Sequence, residues 1–106
     1  MLIAWTTVAT RADAERLATE IIGQRLAACV QIEGPVSSTY RWEGKVERAE
    51  EFRLCLKFLP AQSAALSEWV QSHHPYETPE WIVVRAAAVG EKYLSWAGSN
   101  STNPPL

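Results

Sequence analysis

The sequence predicts one mixed α+β domain with its elements in the order βαββαβ. Three observations lead there. Phe52, Leu54, Leu56 and Phe58 alternate strictly with Glu51, Arg53, Cys55 and Lys57, the period of a strand with one core face. Ala14, Leu17, Ala18, Ile21 and Ile22 recur at helical spacing, and Leu66, Trp69, Val70 and His73 do so again. Two apolar, β-branched stretches, "LIAWTTV" at 2–8 and "EWIVVRAAA" at 80–88, read as strands at either end.

Taken in order, the first strand covers 2–8. Thr10 followed by Asp13 is a capping-box-like start for a helix over 11–26. "AACVQI" at 27–32 is strand-like, Gly34 and Pro35 interrupt it as a bend or bulge, and "SSTYRW" resumes it. "EGK" at 43–45 is a turn, and the alternating strand follows. Pro60 suits the first position of a second helix, and Pro75 stops that helix. After the strand at 80–88, Gly90 breaks the chain and "EKYLSWAG" forms a short last helix. Residues 98–106 read as a loose tail of a single 1–106 domain. The whole is the split, ferredoxin-like arrangement.

One feature does not suit an isolated subunit. The hairpin spanning about 27–59 has arms of roughly 14 residues, or roughly 45 Å at the usual rise per residue. A compact domain of this length is only about 35 Å across. The distal half, near Tyr40, Trp42 and Gly44, must therefore project. A lone two-stranded arm is marginal in water and its edges invite pairing, so a neighbouring subunit is expected beside it.

The 106 residues, 47% of them apolar, suit a single core. A net charge of −2 and a pI near 5.7 leave no electrostatic footprint for nucleic acid. No apolar run is long enough to span a bilayer, and the first ten residues lack an export signal, so a cytoplasmic setting is expected. There Cys29 and Cys55 would remain free thiols. Five tryptophans in so short a chain point to a core or an interface.

The segment "HHPYETPEW", 73–81, concentrates the chemistry-bearing side chains. Read as neighbours on a helix, His73 and His74 point about 100° apart and cannot easily share a metal. His73 continues the apolar stripe and reads as structural; His74 points elsewhere and is the better candidate ligand or proton donor, or simply solvated. Tyr76, Glu77 and Glu80 form either an acid–base group or a hydrogen-bonded corner between helix and strand. Cys29 is a soft metal ligand or a small apolar filler. Lys57 lies on the strand face opposite the helices, where it binds an anion or pairs with a neighbour's carboxylate. The sequence has no phosphate-binding glycine loop, no Cys-x-x-Cys and no Gly-x-Ser-x-Gly elbow. The basic, aromatic third-strand signature of RNA-binding βαββαβ domains is also missing.

These stretches together resemble the CutA divalent-cation-tolerance family. The likeness rests on "RLAACV" at 25–30, "YRWEGK" at 40–45, "EEFRLCLKF" at 50–58, "HHPYETPE" at 73–80 and "YLSWAGS" at 93–99. It implies a ferredoxin-like subunit in a tight, thermostable homotrimer, in accord with the projecting hairpin. It also implies weak binding of copper(II) or another divalent metal, with His74 and Cys29 as ligands. Thr6 stands where some members carry a further cysteine, which would leave such a site incomplete and open to water. In trimers of this kind Tyr40, Trp42, Lys57, Tyr76, Glu77 and Glu80 would gather in a ligand cleft between subunits.

Three functions follow. The first is a non-enzymatic, trimeric, metal-binding protein of cation tolerance. The second, by architectural likeness to PII signalling proteins, is a sensor or adaptor that binds a small anion through Lys57. The last is an enzyme using Tyr76 with Glu77 and Glu80, ranked below the others because no nucleophile–base pair is evident.

Overall fold

The computed structural model describes residues 1–101. The elements are β1 (Leu2–Val8), α1 (Arg11–Gly23), β2 (Cys29–Trp42), β3 (Lys45–Phe58), a 3-10 turn (Pro60–Gln62), α2 (Ser63–His73), β4 (Ile82–Arg85) and α3 (Glu91–Ser101). The four strands make one antiparallel sheet in the order β2-β3-β1-β4. Core residues of β1 and β3, among them Ala4, Val8, Leu54, Leu56 and Phe58, point at α1 and α2. Ala14, Leu17 and Ile21 from α1 and Leu66, Trp69 and Val70 from α2 meet them there. The alternation in β3 is thus the core face it predicts.

The ends of the elements have local causes. The Thr10 hydroxyl accepts from Asp13 N–H at 3.1 Å and starts α1. The Asp13 carboxylate does not complete the box; it pairs with Arg16 at 3.2 Å. The helix stops at Gly23 and not at 26. Arg25 takes a left-handed φ of 58°, its N–H bonds Ile22 O, and Leu26 N–H bonds Ile21 O. That is the Schellman closure, here with arginine where glycine is usual. β4 is shorter than the predicted 80–88. It runs antiparallel to β1, with Arg85 opposite Leu2, so past Ala86, which bonds Met1 O, β1 offers no further partner. At its other end Trp81 turns its indole N–H to Ser67 Oγ, 3.0 Å away on α2. α3 continues past Gly98, where the sequence predicts a loose tail to begin, because Ala97 and Ser101 are buried against the body. The rest of that predicted tail, 102–106, lies outside the described residues.

The hairpin is as long as its sequence implies: both arms have 14 residues. Glu43 and Gly44, with φ of 49° and 79°, form a two-residue turn between paired Trp42 and Lys45. Two successive positive φ values define the type I′ turn that matches strand twist. The long axis of the molecule is 51 Å against 29 and 22 Å for the others, so the arm projects. At its base the register passes from Glu33–Arg53 to Val36–Glu51, one extra residue on β2. This is the bulge expected at Gly34 and Pro35, joined by a cis peptide bond. Gly34 has φ of 153°, and a Cβ there would lie 2.6 Å from Phe52 Cδ1 and 3.1 Å from Glu51 O. Gly34→Ala is therefore expected to cost about 1–3 kcal/mol, read as a lower urea midpoint. An unchanged midpoint would show that Phe52 moves aside freely.

Candidate functional site

Pro75 decides the geometry. It disfavours the helical region for the residue before it, and His74 is extended, with φ −67° and ψ 136°. The two histidines are therefore not neighbours on one helix, and their expected exposures are exchanged. His73, the last residue of α2, is exposed. Its ring stacks on Trp69 at 4.3 Å, and its Nδ1–H donates to Trp69 O at 2.9 Å. A carbonyl only accepts, so this bond leaves the lone pair on Nε2.

His74 swings inward and is only 9% exposed. Its Nε2–H donates to Thr7 O at 2.9 Å, with Thr6 Oγ1 at 3.0 Å. Its Nδ1 accepts the Tyr76 N–H at 3.0 Å. Both nitrogens are committed, and the tautomer is set by the partners. Burial pushes the imidazole below its ordinary pKa of 6.5; the Thr7 carbonyl and the Glu51 and Asp13 charges act the other way and do not prevail.

The same loop carries Tyr76 across the end of β1. Its hydroxyl donates to Glu51 Oε2 at 2.9 Å, and its ring lies 5.0 Å from that of His74. Burial, then the bond to the Glu51 carboxylate, raises the phenol well above its usual pKa. Beside this pair opens a cavity of about 700 Å³ between the base of the hairpin and the 76–80 loop. Three rings (Tyr40, Trp42, Tyr76) and three carboxylates (Glu51, Glu77, Glu80) line it, with hydroxyls from Thr7, Ser38, Thr39 and Thr78.

The structure thus gathers five of the residues expected in a cleft and leaves Lys57 out. Lys57 Nζ donates to Gln31 Oε1 at 2.8 Å and sits 5.8 Å from the Tyr93 ring, at the other end of β3. Glu51 was not legible as part of the site. It opens the β3 alternation on the same face as Arg53 and Lys57, so the pattern presents it as solvated. Only the bulge and the 76–80 loop, which no period reveals, bury it.

The pair expected to hold a metal does not fit one. Cys29 is opposite Lys57, whereas His74 bonds β1 at Thr6 and Thr7, the latter opposite Arg53. Four residues of β3, about 13 Å, separate those levels, and a metal needs donors at about 2.0–2.3 Å. Cys29 is half-buried, near the Tyr93 phenol, whose pKa is raised by burial first and then by that thiol. Among the described residues no three of His, Cys, Asp and Glu are grouped so as to hold a metal ion.

A buried neutral histidine makes stability depend on pH. The folded pKa lies below the unfolded one, so the unfolded chain binds the proton more readily. His74 is expected to contribute fully above pH 6.5 and progressively less as pH falls through that value. His74→Ala should lose about 2 kcal/mol or more near neutral pH, because Thr7 O and Tyr76 N–H lose their partner. It should also show a shallower decline in urea midpoint on acidification. Parallel declines in the two proteins would remove His74 as the cause.

Comparison with known proteins gives a consistent picture. A family model described as CutA1 divalent ion tolerance protein matches residues 2–100. The divalent-cation tolerance protein CutA of Yersinia pestis (strain Pestoides F) is 35% identical over 99 residues, which span 93% of this chain and 83% of that protein. The structure of CutA from Synechococcus elongatus PCC7942 superposes with a TM-score of 0.92 at 38% identity, covering 95% of this chain and 89% of the other. CutA1 from Oryza sativa superposes with a TM-score of 0.91 at 35% identity, covering 97% and 94%. Among the described residues no helix is long and apolar enough to cross a membrane.

Proposed function

The chain belongs to the CutA1 divalent ion tolerance family, and from that premise we propose that it serves cation tolerance without catalysis, as a ferredoxin-like homotrimer with weak, solvent-accessible binding of a divalent metal such as copper(II). One observation carries the metal reading: the His73 imidazole. Its Nδ1–H is held by a backbone carbonyl, which orients the ring and leaves the lone pair on Nε2 of an exposed residue. Neutral imidazole is a good copper donor. One such donor gives a weak and open site, on the other histidine from the one the sequence favours.

Assembly is supported by what the subunit leaves uncovered. Ile82 and Val84 of β4 are 52% and 40% exposed, on the face shared with Ile3 and Trp5. Trp42 and Val46 on the projecting arm are 54% and 63% exposed. Apolar surface of this extent on a small domain marks an interface. The absence of catalysis is supported by the chemistry of the loop: the His74 lone pair is taken and the Tyr76 phenol stays protonated near neutral pH. The anion-sensor alternative draws no support, because the cavity lining carries carboxylates and neither Lys nor Arg. A cytoplasmic setting, suited to the free thiols Cys29 and Cys55, belongs to the same proposal.

Sedimentation equilibrium is expected to give three times 11.8 kDa, with a melting temperature that rises with concentration; a monomer would refute the assembly. In calorimetry with copper(II), His73→Ala should weaken binding by about tenfold or more, or about 1.4 kcal/mol. Cys29→Ser should change it little. Copper affinity unaltered in His73→Ala would take the metal away from this imidazole.

A further inference from the structure

Two thiols of the subunit have no part in the site around His74. β2 and β3 pair Cys29 with Lys57 and Gln31 with Cys55, so all four side chains rise from one face of the sheet, opposite the helices. Cys29 and Cys55 occupy one diagonal of that square. Lys57 and Gln31 occupy the other, and Lys57 Nζ donates to Gln31 Oε1 at 2.8 Å. Both thiols are free and half-buried. The Tyr93 phenol of α3 stands within hydrogen-bond reach of Cys29, and its pKa is raised by burial first, then by that thiol and by Cys55. The register inside one subunit sets the pair, so its spacing does not depend on what lies against this face. A neighbouring copy placed there would enclose the thiols and leave them together.

Spacing decides what the pair can hold. Diagonal neighbours on an antiparallel ladder have Cα atoms about 7–8 Å apart and Cβ atoms somewhat closer. A disulfide needs its Cβ atoms at about 3.5–4.5 Å, so it would distort the ladder. A metal ion with a thiolate at about 2.3 Å on each side, the distance for zinc, spans the wider gap. Among the described residues no third His, Cys, Asp or Glu joins the two thiols. Zinc asks for four ligands and would be left half-coordinated. Monovalent copper is soft, is selected by thiolates, and is satisfied by two sulfurs in line. A cuprous ion between two thiolates carries one net negative charge. Lys57 lies opposite Cys29 and two residues from Cys55, so its ammonium stands beside that charge. Burial raises the Cys55 thiol; the charges of Lys57 and Arg53 oppose this, and Glu33 and Cys29 add to it. The thiol therefore keeps its proton until a soft ion displaces it.

We propose that Cys29 and Cys55 form a two-thiolate site for monovalent copper, one ion per subunit, with Lys57 as its counter-charge and the Tyr93 hydroxyl beside the Cys29 sulfur. Each thiol releases its proton to solvent as its sulfur binds, and the ion arrives already reduced, so no electron is transferred. The site shares no side chain with the divalent-copper reading at His73, and either can fail without the other.

The test titrates the full chain, in its native assembly and without oxygen, with the cuprous acetonitrile complex in competition with bicinchoninate, a coloured cuprous chelator. One ion per subunit should leave the chelator, with a thiolate-to-copper absorption band in the near ultraviolet. Cys29→Ser and Cys55→Ser should each weaken uptake by about a hundredfold or more and abolish the band, with circular dichroism unchanged. Cys55→Val, which keeps an apolar strand former, should do the same and separates loss of a ligand from misfolding of the serine variant. His73→Ala should bind monovalent copper as the parent does. The proposal is overturned if the assembly takes up no cuprous ion, or if either thiol can be removed without loss of affinity. It is overturned equally if one ion is taken up per two or three subunits, which would place thiols of different subunits around it. Zinc binding as tight as that of monovalent copper would also overturn it, since zinc requires ligands that the pair does not supply.

Discussion

The His74 imidazole joins the end of β1 to the loop that follows α2, and the candidate site depends on that junction. Thr7 O sits at the end of a strand, and Tyr76 N–H belongs to a loop with no strand or helix to satisfy it. A single ring between them satisfies both. Each bond is worth only about 0.5–1.5 kcal/mol net, but each buried group left without a partner costs about 1–3 kcal/mol. The ring therefore matters more by what its loss exposes than by what its presence adds. From that fixed point the chain delivers the Tyr76 hydroxyl to Glu51, and the Glu77 and Glu80 carboxylates to the cavity. Protonation would set a second N–H against Tyr76 N–H, so the site is built around a neutral ring, in keeping with its lowered pKa.

A second constraint is length. Strands of 14 residues cannot be covered by helices of 13 and 11 that lie over one end of the sheet. The arm beyond the bulge has no layer of its own, and its turn residues are exposed on all sides. The face opposite the helices is similarly incomplete. There Arg53 lies 5.6 Å from the Trp5 ring and 3.5 Å from a Glu33 oxygen, and its Nε is enclosed without a partner. An enclosed donor with nothing to bond is unusual in a finished interior. Ile82 and Val84 lie exposed on the same face.

Much of this was legible in the sequence because it is periodic. The β3 alternation, the α1 and α2 stripes and the turn at Glu43–Gly44 follow directly from spacing, and the order of elements follows from them. The arm was legible from arithmetic on chain length. The exchanged roles of His73 and His74 were not, because helical spacing continues through a position that Pro75 withdraws from the helix. Glu51 escaped for a related reason: alternation gives the face of a strand, but not what a distant loop lays across it. The early stop of α1 depends on Arg25 adopting a backbone region that its residue type does not favour, so no glycine signals it.

Thr6 ties these threads together. Where the family resemblance places a thiol in some members, this chain has a hydroxyl 3.0 Å from His74 Nε2. A thiolate beside an imidazole is a soft pair that competes for copper. A hydroxyl is a neutral, hard partner that leaves the ring free to donate into the Thr7 carbonyl. With a hydroxyl there the buried histidine is a brace, both of its nitrogens engaged within the chain. The interior keeps the carboxylate of Glu51, held by the Tyr76 hydroxyl.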